Sequence, residues 1–410
     1  MSSRRNFLKS AGLLAGAAIP VTGWGRSDRP ALDDFVQGSD DELSAGVRRQ
    51  LLIPEHRVYL NTGSLGPSPS PVVEIVTDTM HQLESNPVQQ NWGPLGNQME
   101  EVRKKVATFI HALPEDVLLT RNTTEGLSLI AQSLDLKTGD EMLTTTREHD
   151  GALVGLQFAE KTKGAILKRV DLAMPATSVE EVVAAIKKAL TPKTRVLLLS
   201  HINTISGMVM PFAEISRITR ARNIWLIADG AQAPGLIPVD VAALGVDAYA
   251  ASGHKWLMGP KETGFLWTSP RIRTHLKSMF MFSGMQAYTA SSGTRNVATV
   301  IGLGAAIEYH TRLGGDRVHQ YTLQLRNYCM QELRKLKGVT VLSPEAYPLS
   351  CGIVSFNLTT RKNNEIYDKL SEQDIIVKVL PGINAIRISC HIFVSKPDID
   401  RFVSALRKLL

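Results

Sequence analysis

The sequence predicts an α/β protein, with a large domain on a mostly parallel sheet and a smaller α+β domain after it. Three observations carry this expectation. From Val117 to Ser269, short apolar runs alternate with stretches of helical period, the pattern of strand–helix–strand units joined by right-handed crossovers. Beyond about residue 300, two long helical stretches precede short strands and helices mixed together. The length, 410 residues, suits two domains better than a single core.

Val117–Thr120, Glu141–Thr145, Ala165–Val170, Arg195–Ser200, Ile224–Asp229 and Ala248–Ser252 read as strands. Several are almost continuously apolar, as expected of strands covered on both faces. Thr123–Leu134, Val179–Leu190 and Phe212–Arg222 are periodic helical stretches between them. Upstream, Pro71–Leu83 and Gln98–His111 read as helices packing on this domain. Downstream, Val297–Leu313 and Asp316–Lys337 read as long bridging helices. The last part reads as strands at Gly352–Asn357, Ile375–Val379 and Ala385–Ser389, with helices near Glu365–Ser371 and Asp398–Leu409.

The formal charge of +7 raises the question of nucleic-acid binding. Four of those charges (Arg4, Arg5, Lys9 and Arg26) lie in residues 1–26, which contain no acid, so the remainder carries +3. No basic run or aromatic-interleaved stripe accompanies it, and no nucleic-acid partner is expected. Instead, Ser3-Arg4-Arg5-Asn6-Phe7-Leu8-Lys9 followed by the apolar stretch Ala11–Val21 has the form of a twin-arginine export signal. An exported, periplasmic location and a passage through the twin-arginine machinery follow as expectations. With no Ala-x-Ala site near Gly25, retention as a membrane anchor is the alternative to cleavage. Cys329, Cys351 and Cys390 show no metal-ligand or framework spacing, and one disulfide among them stays open.

In open parallel sheets, ligands bind beyond the carboxyl ends of the strands. Those ends are polar here: Asn122-Thr123-Thr124, Glu148-His149, His201 to Asn203, Asp229, and Ser252 through Lys255. Arg121-Asn122-Thr123-Thr124-Glu125-Gly126, between a strand and a helix, offers free amides and hydroxyls for a phosphate. The same residues also suit a plain helix cap. Asp229 closes a buried strand and needs a partner, which a protonated pyridine nitrogen or a salt bridge would supply. Lys255 follows 26 residues later, where burial would lower its pKa and free the neutral amine for imine formation. A phosphate cradle, an acid, a ring-stacking group and an amine together are what pyridoxal 5'-phosphate (PLP) requires.

Ala228-Asp229-Gly230-Ala231-Gln232-Ala233-Pro234-Gly235, followed by Ser252-Gly253-His254-Lys255, resembles the class V aminotransferase family of fold-type I PLP enzymes. That family includes cysteine desulfurases and isopenicillin-N-epimerase-like proteins. Val58-Tyr59-Leu60-Asn61, Glu148-His149, Asn203, Gly293-Thr294-Arg295-Asn296 and Ile386-Arg387-Ile388-Ser389 match further stations in order. The resemblance implies a seven-stranded, mostly parallel sheet in a large PLP-binding domain over residues 61–300. It also implies bridging helices and a small domain over 301–410, with a segment 27–60 behind the signal of residues 1–26. By the same resemblance Lys255 would carry PLP as a Schiff base, Asp229 would face the ring nitrogen, and His149 would lie on the ring. Gln232 and Asn203 would approach the ring hydroxyl, while Thr123, Thr124, Ser252 and His254 would hold the phosphate. Thr294 would reach the phosphate of a neighbouring subunit, which implies a homodimer with its active site at the interface. Arg387 would grip the substrate carboxylate, with Asn61 beside the substrate.

The expected activity is therefore PLP chemistry at the α-carbon of an amino acid or aminoacyl-containing metabolite, with Lys255 as base. Epimerisation, transamination and elimination remain open, a C–S or other β/γ-lyase being one alternative and a non-catalytic PLP-binding protein another. The second alternative is disfavoured because Lys255, Asp229 and Arg387 are all present. Persulfide-type sulfur transfer is not expected: no cysteine lies between Asn357 and Arg387, and Cys390 falls on the opposite strand face. No GxGxxG opens a helix after the early strands, which speaks against a dinucleotide site.

Overall fold

The computed structural model of the chain describes residues 29–380 and 382–410, so the expected export signal lies outside the described residues. The large sheet has seven strands: β1 (Val117–Thr120), β2 (Glu141–Thr145), β3 (Ile166–Val170), β4 (Thr194–Ser200), β5 (Trp225–Asp229), β6 (Ala248–Ser252) and β7 (Gly264–Thr268). Their spatial order is β1-β7-β6-β5-β4-β2-β3. All run parallel except β7, which pairs antiparallel with both β1 and β6. β7 is the strand missing from the sequence-based set. It is short, it begins on glycine, and it turns back as a hairpin instead of following a helix. The connection between β6 and β7 is the segment that carries Lys255.

The central strands are apolar because both faces are covered, β4 to β6 being buried almost throughout. β3 is different: Ile166 is exposed, and Lys168 and Arg169 charge this edge of the sheet, a common defence against edge-to-edge pairing. Helix α1 (Thr123–Ser133) follows β1, and α2 (Asp150–Lys163) follows β2. The sequence signals α2 only weakly, since Val154 and Phe158 on it are exposed. Both helices begin at the carboxyl edge of the sheet, so their N-termini face the same cleft.

The second sheet has the order β10-β11-β9-β8, from β8 (Val339–Val341), β9 (Ile353–Leu358), β10 (Lys378–Leu380) and β11 (Ala385–Ser389). The run expected as one strand over Ile375–Val379 divides. Ile375–Ile376 pairs with Val58–Tyr59, and β10 then joins β11. The chain changes partners at Val377. Leu32, Phe35, Leu43, Val47, Val58 and Leu60 share one core with Phe356, Ile386 and Phe402. The N-terminal segment thus packs with the C-terminal sheet. Helix α3 (Val297–Leu313) places Val300 and Leu303 in the large-domain core and Tyr309 and Leu313 in the second, which ties the two together. Among the described residues no helix is long and apolar enough to cross a membrane.

Candidate active site

Lys255 lies in the β6–β7 connection, where the strap 61–69 crosses it. Gly66 N–H donates to the His254 carbonyl at 2.9 Å. A Cβ on Gly66 would fall 1.9 Å from the Lys255 carbonyl oxygen, so only glycine lets the strap sit this close. The Lys255 amine makes no hydrogen bond or ion pair among the described residues. Burial pushes it down to about 8, Arg387 adding in the same direction and Asp229 opposing.

Asp229, the last residue of β5, is 5% exposed. One carboxyl oxygen accepts from Ala231 N–H at 2.9 Å, and no hydrogen bond reaches the other among the described residues. Burial raises its pKa, while Lys255 and His149 lower it. His149 caps α2 with its own ring: Nδ1 accepts from Gly151 N–H at 3.0 Å, which leaves the ring face open on the cleft. Burial, then Lys255, hold that imidazole below its usual range, so it enters the site neutral. Gly151 has a second use. A Cβ there would meet Thr124 Oγ1 at 2.3 Å, so its absence lets the two helix N-termini converge.

At the start of α1 the helix is capped by Asn122 and not by a threonine, which leaves Thr123 and Thr124 outside the cap. The Asn122 side chain accepts from Glu125 N–H at 2.9 Å. Thr123 lies one residue further on, its N–H donating to Ser252 Oγ at 3.0 Å and its hydroxyl meeting the same oxygen at 2.8 Å. Thr124 is exposed beside them. His254 has a buried Nδ1 with no partner, and burial takes its ring down to about 4.

Arg387 reaches this cleft from β11. Nη1 donates to the Thr204 carbonyl at 3.0 Å and its hydroxyl at 2.7 Å, and Nη2 to Ser64 Oγ at 3.1 Å. Nε is buried without a partner. Gln232 shares this network: its amide donates to Gly63 O at 2.8 Å and to Thr204 Oγ1 at 3.3 Å, and its oxygen accepts from Trp256 Nε1 at 2.8 Å. Both polar ends are engaged with protein, so it reaches a ring hydroxyl only by giving up the longer bond. Asn203 is occupied as well. Its oxygen takes Ile205 N–H and Ser206 N–H at 3.0 Å each, and its amide donates to Arg147 O at 3.0 Å, which leaves one N–H.

Two expected site residues stand apart. Asn61 lines a separate polar cavity of about 500 Å³ with Asn364, Tyr367 and Lys378, although its Oδ1 is buried without a partner. Thr294 is exposed and bonds none of the others. Conversely, Ser64, Thr204 and Trp256 bind into the site without being singled out by sequence. No local pattern marks them, because each acts through a contact distant in the chain. Lys255 and His149 each feel both Asp229 and Arg387, which places the four in one cleft.

The residues present fit PLP. An unpaired amine, an acid with one free oxygen, an open imidazole face and an unpartnered His254 nitrogen converge where two helices begin. Comparison with known proteins agrees. The chain is 27% identical to an isopenicillin N epimerase of Amycolatopsis lactamdurans, covering 89% of this chain and 98% of that protein. It is 29% identical to a probable cysteine desulfurase of Halalkalibacterium halodurans, covering 86% and 92%. A lysine-to-alanine variant of C-DES with glycine covalently linked to its PLP superposes with a TM-score of 0.80 at 25% identity, covering 88% and 98%. The complex of the cystine C–S lyase C-DES with cysteine persulfide gives 0.78 at 26%, covering 86% and 98%. Residues 58–402 match the family described as Aminotransferase class-V, and the chain belongs to that family of PLP-dependent enzymes.

Proposed function

We propose that the chain moves a proton at the α-carbon of an amino-acid-like substrate, with Lys255 as the base. The observation that carries this is the Lys255 amine: unpaired among the described residues, held near 8 by burial, and within the influence of both Asp229 and Arg387. PLP supplies an electron-accepting ring when bound. Asp229 offers its free oxygen to the ring nitrogen, His149 its open face, and Thr123, Thr124, Ser252 and His254 their donors to the phosphate. Gln232 and Asn203 would approach the ring hydroxyl, each with at most one exchangeable N–H. Arg387 receives the substrate carboxylate through its guanidinium fork, prepared by Thr204 and Ser64. Asn61, which opens on the separate cavity with Asn364, Tyr367 and Lys378, has no part in this reading.

Persulfide chemistry on a protein cysteine is not proposed. All three cysteines are buried, Cys351 donates to Gly207 O at 3.1 Å, and residues 381–384 before β11 contain none. Epimerisation or transamination is the first reading. Elimination at a C–S bond is the second, favoured by the likeness to the C-DES complex. Incubation with an amino-acid panel in heavy water should show α-deuteration lost in Lys255→Ala, with chirality and keto-acid assays naming the branch. No exchange with any panel member, in protein carrying PLP, would overturn the reading.

Two further proposals accompany it. Arg4-Arg5 and the following Phe7-Leu8-Lys9 support twin-arginine export, with the signal cleaved or retained as an anchor. A homodimer is supported by exposed Met279, Phe282 and Tyr288 close in sequence to Thr294, which would bring Thr294 to the neighbouring site. Cell fractionation and sedimentation test the two separately.

A further inference from the structure

Glu148 immediately precedes His149, yet its side chain turns into the protein. It is 7% exposed. One carboxyl oxygen accepts from Thr145 Oγ1 at 2.8 Å. The other accepts from Ser200 N–H at 3.1 Å and from the Ser200 hydroxyl. Thr145 ends β2 and Ser200 ends β4, and Ser200 stands in register with Asp229 on β5. One side chain thus fastens the His149 loop to the strand next to Asp229.

A neutral amide could make a similar tie, because both hydroxyls can turn. What an amide lacks is the charge. Among the described residues no Lys, Arg or His lies within ion-pairing distance of Glu148, and the charge acting on it is the like charge of Asp229. A buried carboxylate without a cation is costly. Two such acids at adjacent strand ends create a demand for one positive charge between them.

We propose that Glu148 is a positioning residue for the cofactor, fastening the His149 loop and adding to Asp229 the second negative charge that keeps a proton on the ring nitrogen. This rests on the reading that the ring nitrogen faces Asp229.

The surrounding groups define the pH consequence. Asp229 faces Glu148 from β5. His149 adjoins it in sequence and feels Lys255 and Arg387, while Asp229 feels Lys255. Tyr249, on β6 beyond Asp229, and His201, which directly follows Ser200, bond each other at 2.9 Å and stay neutral, burial raising the phenol and taking the imidazole down to about 4. Burial raises Glu148 to about 7, Asp229 adding to this while Ser200 and Thr145 oppose it. A cation arriving at Asp229 favours the ionised carboxylate. Near neutral pH, cofactor binding therefore drives a proton from the Glu148 carboxyl into solvent, and affinity rises as pH rises through about 7.

The test is a PLP titration of the full chain freed of cofactor, between about pH 6 and 8, with calorimetry in two buffers of different ionisation enthalpy. PLP's own phosphate titrates equally in every variant, so differences between variants isolate Glu148. Wild type should gain roughly fivefold more affinity across this range than Glu148→Gln, and release more protons on binding. Equal slopes and equal proton counts would overturn the proposal. If Glu148→Gln does not fold, Ser200→Ala removes one donor to the ionised form and should move the affinity step to higher pH; an unmoved step is equally fatal. Failure of every variant, wild type included, to bind PLP would instead remove the underlying reading of the cleft.

Discussion

The two halves of the cleft are built by different means. On the side proposed for the cofactor, each group stands at the end of a strand or the start of a helix: Thr123, His149, Asp229, Ser252 and, just beyond β6, Lys255. On the side proposed for the substrate, Arg387 comes from the second sheet and is held by Ser64 and Thr204 from two irregular segments. The first half draws its precision from the sheet. The second depends on three stretches of chain meeting, and Arg387 Nε, like His254 Nδ1 on the cofactor side, is buried there without a partner. One scaffold can therefore keep its cofactor chemistry while the substrate half varies, which is why family membership leaves the substrate open.

The largest expected effect breaks the cofactor half alone. Lys255→Ala should abolish the visible absorbance of lysine-bound PLP and reduce turnover by about 10³-fold, the scale of losing a general base. Thermal unfolding of the cofactor-free protein should change little, since the Lys255 amine bonds nothing among the described residues. A variant that unfolds instead would show that Lys255 is structural.

Next in size is a break confined to the substrate half. Arg387→Lys keeps the charge but loses the planar fork, so KM for amino-acid substrates should rise roughly 10- to 100-fold. PLP affinity should hold within about threefold, since among the described residues this side chain bonds only Thr204 and Ser64. Equal losses of both affinities, measured by steady-state kinetics and PLP titration, would merge the two halves into one.

These halves were unequally legible in the sequence. Strand ends follow from apolar runs, so β1, β2 and β6 fall where hydrophobicity alone puts them, and a polar residue closing such a run is conspicuous. Asp229 and the Ser252–Lys255 segment are visible for this reason. Thr204 and Ser64 are not, because nothing local distinguishes a loop hydroxyl that holds an arginine from one that faces water. Gln232 was legible as a site residue, but its bonds to Gly63, Thr204 and Trp256 depend on tertiary contacts. β7 escaped notice because hairpin return, unlike a helical crossover, leaves no periodic segment before the strand.

A smaller effect separates the halves by pH. Only the neutral amine attacks the PLP aldehyde, and the neutral form predominates above the pKa. Imine formation by the cofactor-free chain should therefore rise with pH and level off above about 8, not near the 10.5 of a free lysine. Arg387→Gln should shift this midpoint upward, because the guanidinium is one of the charges holding Lys255 down. A midpoint unchanged in that variant would show the substrate half to be electrostatically separate from the amine. Stopped-flow absorbance measures both.

The smallest effects give the sharpest division, because they come from matched single hydroxyls. Ser252→Ala removes the oxygen shared by Thr123 N–H and Thr123 Oγ1 on the phosphate side. Thr204→Val removes the hydroxyl bonded to Arg387 and Gln232 on the other. Each deletion should cost about 0.5–1.5 kcal/mol, or roughly 2- to 10-fold in the affinity it governs. Ser252→Ala should weaken PLP binding and leave KM unchanged. Thr204→Val should raise KM and leave PLP binding unchanged, except through Gln232, whose amide would then be free to turn to the ring hydroxyl. A gain in PLP affinity in Thr204→Val would therefore show that Gln232 is held back from the cofactor by Thr204, and that the two halves meet at this one hydroxyl.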